Sequence, residues 1–392
     1  MIMSINKILF VFSITWLVAC KNASKQANHQ DLGQQPEEKS KVAKVPVNAS
    51  AKRKLAKYEP SNGQVIVFIG QEMEALGGLQ EFKDGYLDHF KRPAGWTAYT
   101  NLTPGKKSFG YINKGLDGIW NTADWGDSKS NISLQLKDQD YENMALAIGL
   151  SLVGHTKQIA RGDRDELIIK MGNYLKSLAP RPIFLRIGYE FDGHAWNHYD
   201  LVSHKASFRR IKDKLDSLQV TNVAYVWQST GWVSDQDLLE EWYPGDDYVD
   251  WCGYSFFSRW KEQEMIEFAR KKGKPVFIAE ASPLISDHMT KFDGNTKETI
   301  LSKPEQAQQA WDKWFVPFFK TIDDNPDVVK AISYINCNWK AQKMWMDNPS
   351  FKRIDARLQT SKMIADRWRK EMGRSKYIHS SPALYTDLQA NK

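Results

Sequence analysis

Two glutamates that follow short apolar runs are the residues of this 392-residue sequence best suited to chemistry. Glu190 comes shortly after the run 183–187, and Glu280 directly follows the run 275–279. Two opposed carboxyl groups can hydrolyse a glycosidic bond, because one protonates the departing oxygen while the other attacks the anomeric carbon. A separation of about 5–5.5 Å between them implies retention of configuration. Structural ion pairs, for instance with Arg186, are the alternative that position alone leaves open.

Tryptophan is as frequent in this chain as tyrosine, with 15 residues of each type. Several tryptophans end or follow predicted strands on the same side as the two glutamates: Trp196, Trp227, Trp232, Trp260 and Trp339. Sugars offer flat C–H faces that stack on aromatic rings. Core packing explains many tryptophans but not this concentration, so the aromatic residues favour a carbohydrate ligand.

Eight β-rich runs recur from residue 60 onward, and helical patterns fill the gaps between them. The runs are 65–69, 96–100, 144–150, 183–187, 223–227, 248–255, 275–279 and 328–335. Strands that alternate with helices predict a parallel sheet with right-handed crossovers, and eight such units predict an α/β fold, the (β/α)8 TIM barrel. Strands four and seven then face each other across the ring. Their carboxyl ends, where such barrels carry their chemistry, hold Glu190 and Glu280.

A doubly wound open sheet is the rival architecture. It usually carries a glycine-rich phosphate loop after its first strand. Here the first run is followed by Gly70-Gln71-Glu72-Met73-Glu74, which lacks that glycine spacing. The barrel is therefore favoured.

The net charge of +7 does not indicate a nucleic-acid partner. Residues 21–57 carry nine basic and three acidic side chains, and Lys7 adds one further positive charge, so residues 58–392 are neutral overall. A neutral body binds a phosphate backbone poorly. The hydrophobic content of 42% also argues against a disordered protein.

The N-terminal segment has the features of a targeting signal. A short basic stretch precedes an apolar run that ends in Leu17-Val18-Ala19-Cys20, which resembles a bacterial lipobox. We expect residues 1–20 to be a lipoprotein signal peptide, Cys20 to be lipidated, and 21–57 to be a flexible basic linker. This predicts a lipid-anchored protein of the bacterial cell envelope, in the outer membrane, on either its periplasmic or its outer face. The catalytic domain is expected over 58–375, with 376–392 as a C-terminal tail.

From about residue 60 to 375 the chain resembles glycoside hydrolase family 26, whose members are retaining (β/α)8 glycosidases. The family has an arginine four residues before its acid/base glutamate and a glycine three residues after it, as in Arg186, Glu190 and Gly193. Its nucleophile ends strand seven, as Glu280 does, and the segment 242–251 matches the run into its sixth strand. The resemblance implies that Glu190 is the acid/base and Glu280 the nucleophile.

One departure within the motif bears on the substrate. Mannanases of the family have histidine directly before the acid/base, whereas this chain has Tyr189. Together with Trp227-Gln228-Ser229 on strand five, this resembles the branch of the β-1,3-xylanases. The resemblance therefore implies a retaining endo-β-glycanase with β-1,3-xylan as lead substrate. A β-mannanase, a mixed-linkage β-glucanase and a non-catalytic glycan-binding surface lipoprotein are the alternatives.

Further residues receive expected roles around the two glutamates. Arg186 donates to Glu280 and keeps it ionised, Tyr189 orients Glu190 or meets a sugar hydroxyl, and Trp339 is the platform under the reacting sugar. Tyr254, at the end of strand six, either hydrogen-bonds Glu280 or is a simple rim residue. Four more residues are expected to bind sugars in subsites: Trp196, Gln228, Trp232 and Trp260. In the long loop after strand two, Asn121, Trp125 and Asp127 either wall the cleft or belong to a surface excursion.

No cofactor or metal is expected. His194 and His198 have the spacing of a zinc motif, but they lie in a predicted loop without the accompanying glutamate. The three cysteines cannot form a disulfide framework, and Cys252 and Cys337 are expected to be buried free thiols. The expected partner is a polysaccharide or oligosaccharide. We expect a monomer that meets the membrane only through its lipid anchor.

Overall fold

A closed barrel of eight parallel strands forms the body of the protein in a computed structural model that describes residues 54–61, 63–257, 261–284 and 299–390. The strands are β1 Val65–Gly70, β2 Gly95–Asn101, β3 Ala145–Ser151, β4 Ile183–Ile187, β5 Val223–Ser229, β6 Trp251–Phe256, β7 Val276–Ala281 and β8 Val329–Ile335. Pairing between β1 and β8, with Ile66 opposite Ala331, closes the ring. The predicted (β/α)8 barrel and all eight predicted strands are confirmed.

Helices return the chain from the end of each strand to the start of the next. The longer ones are α1 Thr156–Arg161, α2 Asp165–Ser177, α3 Leu201–Ser217, α4 Gln236–Trp242, α5 Glu262–Lys272, α6 Pro304–Ala310, α7 Val316–Asp324, α8 Lys362–Met372 and α9 Leu384–Ala390. Their apolar faces follow the helical period; α2, for example, buries Ile168, Met171 and Leu175. The carboxylate of Asp200 caps α3 by accepting from the Ser203 amide at 3.0 Å. These faces pack on the outer surface of the barrel.

The barrel interior is filled with side chains from alternate strand positions, as the two-residue period of a strand requires. Phe68, Phe184, Trp251 and Phe277 meet in tilted and edge-to-face contacts in the lower half of the barrel. Polar side chains occupy the layer above these rings, towards the carboxyl ends of the strands. The rings therefore close the barrel below and leave the polar layer as the floor of an upper cleft.

The C-terminal segment is part of the barrel domain, which corrects the expected tail over 376–392. A short strand, Tyr377–Ile378, pairs in parallel with β1, and α9 follows it. Leu384 and Leu388 of α9 pack with Tyr58 in the same cluster as the lower aromatic rings. These side chains cover the bottom of the barrel, so the domain extends at least to residue 390.

Several sequence predictions concern residues that the structure does not describe. The signal peptide 1–20 with Cys20, most of the linker 21–57, and Trp260 lie outside the described residues. Cys252 and Cys337 are described, and both are buried free thiols as predicted. Within the described ranges, none of the helices is both long and apolar enough to cross a membrane.

Candidate active site

A cleft of about 720 Å³ opens at the carboxyl ends of the strands, where a barrel of this type carries its chemistry. Glu190 and Glu280 both line it, although their side chains are almost completely buried. The aromatic residues around them include Tyr99, Tyr189, Trp196, Trp232 and Trp339. Two of the predicted residues, Glu190 and Glu280, thus meet in one cavity across the barrel.

A β-bulge in β7 turns Glu280 towards the barrel axis. Phe277 and Ala279 point inward, so regular alternation would send residue 280 outward. One extra residue of β7 is inserted relative to both neighbours: Ile278 and Glu280 pair with the adjacent Tyr254 and Ser255 of β6, and a matching shift occurs against β8. Bulges re-aim side chains in this way. The Glu280 carboxylate therefore faces the interior.

Two donors hold the Glu280 carboxylate. Arg186 Nη1 on β4 lies 2.6 Å from Glu280 Oε1, and the Tyr99 hydroxyl on β2 donates to the same oxygen at 2.6 Å. Burial, opposed by the charge of Arg186 but reinforced by that of Glu280, holds the pKa of Tyr99 well above its usual value, so the phenol keeps its proton. A guanidinium and a neutral phenol both stabilise a carboxylate anion.

Glu190 lies in a tight turn after β4. Gly188 and Glu190 both have left-handed backbone angles, with φ of 54° and 52°, a region that a residue with a side chain rarely adopts. Asn197 fixes the turn by donating to the carbonyl oxygens of Tyr189 and Glu190 at 3.1 and 2.8 Å. The strained turn is thereby held by a buried amide.

The glycines of this turn are required by close contacts. A Cβ atom at Gly188 would lie 2.6 Å from His204 Nε2, and one at Gly193 would lie 2.5 Å from the indole of Trp196. The space at Gly193 lets the Trp196 Nε1 donate to Glu190 Oε2 at 3.0 Å. The glycine three residues after Glu190 in the sequence motif therefore has a steric role beside the carboxyl group.

The environment of Glu190 favours its protonated form. Burial first, and then the negative charge of Glu280, raise the pKa of Glu190 well above its usual range. Hydrogen bonds from Ser255 Oγ at 2.7 Å and from Trp196 act in the opposite direction but do not cancel the effect. One buried glutamate is thus kept protonated while the other faces a guanidinium, which is the division of roles that acid/base and nucleophile need.

The aromatic residues form two groups along the cleft. Trp196 and Trp232 stack with their ring centroids 6.1 Å apart and are 42% and 43% exposed, so both present a face to a ligand. Trp339 is buried at the other side, donates to Ser282 Oγ at 2.9 Å, and packs against Trp345 and Phe351. The first group is an accessible platform, and the second lines the cleft from within a packed aromatic cluster.

Arg186 donates to Glu280 as expected, whereas Tyr254, Trp227 and Gln228 are placed differently from the expectation. Tyr254 lies on the outward side of β6, in the cluster between sheet and helices. Side chains alternate along a strand, and the next residue, Ser255, points inward. The phenol that donates to Glu280 belongs to Tyr99 instead. Trp227 also points outward and stacks on Phe191 at 4.4 Å. Gln228 and Arg186 point inward but have no exposed surface. They support the carboxylates from below rather than binding sugar.

The loop after β2 walls one side of the cleft through part of its length. Trp125 lines the cleft and donates to Asn113 Oδ1 at 3.0 Å. Asp127 accepts from the Lys343 amide and ammonium in the loop after β8. Asn121 is exposed and donates to the Tyr111 hydroxyl. Trp125 thus belongs to the wall, Asp127 connects this loop to the loop after β8, and Asn121 belongs to the surface.

Tyr99 and Ser255 are site residues that sequence reasoning missed. Tyr99 is the next-to-last residue of the predicted run 96–100, and Ser255 is the last residue of the run 248–255. Both point inward, so alternation within these runs could have found them. Among the described residues, His, Cys, Asp and Glu form no group of three or more that could hold a metal ion.

Two relatives of similar sequence identify the family of the chain. Family models do not, since none of them matches the chain. A β-1,3-xylanase of an Alcaligenes species is 31% identical over 344 residues, covering 85% of this chain and 68% of the relative. The β-1,3-xylanase TXYA of a Vibrio species is 31% identical over 348 residues, with 85% and 69% covered.

Solved structures show the same fold at low identity. A GH26 β-mannanase from Bacteroides ovatus superposes with a TM-score of 0.54 and 16% identity, covering 82% of this chain and 93% of the other. A Cellulomonas fimi endo-β-1,4-mannanase double mutant gives 0.54 and 13%, with 84% and 74% covered. The chain belongs to glycoside hydrolase family 26 and, within it, lies closer to the β-1,3-xylanases than to the mannanases.

Proposed function

We propose that the protein is a retaining endo-β-1,3-xylanase in which Glu280 is the nucleophile and Glu190 the general acid and base. The observation that carries the choice of substrate is the identity of 31% to two β-1,3-xylanases over 85% of the chain. Tyr189 agrees with it, since mannanases of the family carry histidine at that position. The Tyr189 ring lies edge-on to Tyr99 at 5.4 Å and faces the Arg186 guanidinium at 5.3 Å.

The first step requires an ionised nucleophile and a protonated acid. Glu280 Oε1 accepts from Arg186 and Tyr99, which favours the anion. The carboxylate attacks the anomeric carbon, and the bond to the leaving oxygen breaks as Glu190 transfers its proton to that oxygen. A covalent glycosyl-enzyme intermediate on Glu280 results.

The second step reverses the role of Glu190. Its carboxylate takes a proton from water, which attacks the anomeric carbon and displaces Glu280. The first proton transfer is helped by the raised pKa of Glu190 before the intermediate forms. Because the configuration is inverted twice, the product retains the configuration of the substrate.

The test is a panel of polysaccharides: β-1,3-xylan, mannan and mixed-linkage β-glucan, with reducing ends counted and product sizes resolved. We expect internal cleavage of β-1,3-xylan, and a loss of at least about 100-fold in Glu190→Gln and Glu280→Gln. Preference for mannan or glucan would refute the substrate, and undiminished rates in either variant would refute the assigned residues. Binding without new reducing ends would favour a non-catalytic glycan-binding lipoprotein.

We further propose that Cys20 is acylated and anchors the enzyme in the outer membrane of the bacterial envelope. The support is the Leu-Val-Ala-Cys sequence after a basic start and an apolar run, followed by a polar linker. Cells grown with an alkyne-tagged fatty acid should label the wild-type protein and leave Cys20→Ala unlabelled. A wild-type protein recovered unlabelled from the soluble fraction would contradict the anchor.

A further inference from the structure

Three buried side chains connect the two carboxyl groups by hydrogen bonds. Arg186 Nη1 contacts Glu280 Oε1 at 2.6 Å and Gln228 Oε1 at 2.9 Å. Gln228 Nε2 donates to Ser255 Oγ at 3.0 Å, and Ser255 Oγ donates to Glu190 Oε1 at 2.7 Å. Arg186 and Gln228 have no exposed surface, and Ser255 is 2% exposed.

The chemistry of the groups fixes the direction of every bond in this chain. A guanidinium only donates, so Gln228 must present its carbonyl oxygen to Arg186 and its amide NH2 to Ser255. A serine hydroxyl has a single hydrogen. Since Ser255 accepts from Gln228, that hydrogen is available to Glu190. The positive charge of Arg186 thus sets the orientation of a hydroxyl on the far side of the barrel interior.

This orientation distinguishes the two oxygens of Glu190. Both oxygens accept a hydrogen bond, Oε1 from Ser255 and Oε2 from Trp196. Ser255 is buried, whereas Trp196 lines the cleft, so a proton for the leaving oxygen belongs on Oε2. Oε2 lies beside Trp196, whose Nε1 is 3.0 Å away and whose ring lines the cleft. A protonated oxygen keeps a lone pair that can accept from the indole while its own hydrogen points elsewhere. The proton is thereby placed on the oxygen that contacts Trp196, a residue that lines the cleft.

We infer that Ser255 is a positioning residue that holds Glu190 so that Oε2 carries the proton delivered to the leaving oxygen. The inference rests on the proposed role of Glu190 as acid/base. Ser255 acts through Glu190 and does not itself touch the sugar.

The groups around Glu190 determine the direction in which its pKa should shift when the Ser255 hydroxyl is removed. After burial, the charges of Glu280 on β7 and Asp192 in its own loop raise the pKa of Glu190, whereas Ser255 and Trp196 lower it by donating. Tyr189 and Tyr199 also face Glu190, but burial raises their pKa values and keeps them neutral. Removal of the Ser255 donor therefore raises the pKa of Glu190 further and moves the basic limb of kcat/KM to higher pH.

The experiment compares two substrates and several variants of the full enzyme. For Ser255→Ala, kcat/KM on β-1,3-xylan should fall roughly 10- to 100-fold, because the poor leaving group needs a well-placed proton. An aryl xyloside with a dinitrophenol leaving group needs no acid, so its glycosylation rate should fall less than about threefold. Ser255→Thr, which keeps a hydroxyl, should recover activity on xylan.

Two more variants serve as a control and as a replacement for Ser255→Ala. Ser333→Ala is the matched control: Ser333 is a buried, inward-facing barrel serine bonded to Thr97 at 2.9 Å, and its removal should not change the ratio of the two activities. If Ser255→Ala fails to fold, Ser255→Cys keeps nearly the same size but offers only a weak thiol donor. It should give the same selective loss on xylan.

Equal losses on both substrates with an unmoved basic limb would overturn the inference, because they indicate a purely structural role. Glu190→Gln, measured in parallel, separates this failure from failure of the proposed function. If Glu190→Gln cleaves xylan at the wild-type rate, the proposed function falls. If it is inactive on xylan while Ser255→Ala behaves like the wild type on both substrates, only the positioning role falls.

Discussion

Arg186 and Glu280 form an ion pair of 2.6 Å between Nη1 and Oε1 inside the barrel, where the guanidinium has no exposed surface and the carboxylate is 7% exposed. The guanidinium also lies over the rings of Tyr99 and Tyr189, at 5.0 and 5.3 Å from their centroids. Two charges taken out of water depend on each other, because a single one left unpaired is strongly destabilising. The stability of the barrel therefore depends on the presence of both partners.

Replacement of the arginine tests this dependence. Arg186→Met keeps the apolar stem of the side chain but leaves the Glu280 carboxylate without its cation, so we expect a loss of about 3–5 kcal/mol in the free energy of unfolding, measured with urea. Arg270→Met is the matched surface control, since the Arg270–Asp327 pair is about half exposed and should contribute less than about 1 kcal/mol. Similar losses for the two variants would contradict the claim.

Glu72 is a further buried carboxyl group, and its titration should make the stability of the protein depend on pH. Burial raises its pKa to about 7, against hydrogen bonds from Cys337 and Gln342 that lower it. Between about pH 4.5 and 7 the folded protein keeps a proton on Glu72 that the unfolded chain has lost. Stability therefore falls as pH rises through that window. Glu72→Gln should remove this loss. We expect its free energy of unfolding, relative to that of the wild type, to be higher above pH 7 than at pH 4 by up to about 3 kcal/mol.

The control for Glu72 is Glu81, an exposed glutamate. Glu81→Gln should change the urea midpoint little at either pH. If Glu72→Gln follows the pH dependence of the wild type, Glu72 is not the group that titrates.

The strand pattern of the sequence was sufficient to predict the barrel and the two glutamates, since both depend only on which runs are apolar and where each run ends. The direction of individual side chains was harder to predict. The β7 bulge is produced by pairing with both neighbours and leaves no local signal, and the outward direction of Tyr254 depends on where β6 begins. Arg186 and Gln228 were recognised as polar residues of the site, but their depth follows from packing of the whole ring. The C-terminal strand has two residues, too few for a period.

The stacked tryptophans should contribute to binding rather than to bond cleavage. Trp232→Ala removes half of the Trp196–Trp232 platform, so we expect KM for xylo-oligosaccharides to rise about 10-fold with kcat reduced less than about threefold. Trp120→Ala is a close control: Trp120 is 42% exposed, as Trp232 is 43% exposed, but packs on Tyr174. A fall in kcat at unchanged KM for Trp232→Ala would argue against a binding platform.

Covalent trapping of the nucleophile tests most directly whether Glu280 attacks the anomeric carbon. A 2-deoxy-2-fluoro glycoside of a β-1,3-linked xylo-oligosaccharide, with dinitrophenol as leaving group, should inactivate the enzyme because the fluorine slows hydrolysis of the intermediate. Mass spectrometry of the digested protein should then find one glycosyl adduct on Glu280, and none in Glu280→Gln. An adduct on another residue, or turnover of the natural glycan with inverted configuration and no adduct, would contradict the role of Glu280 as the nucleophile of a retaining enzyme.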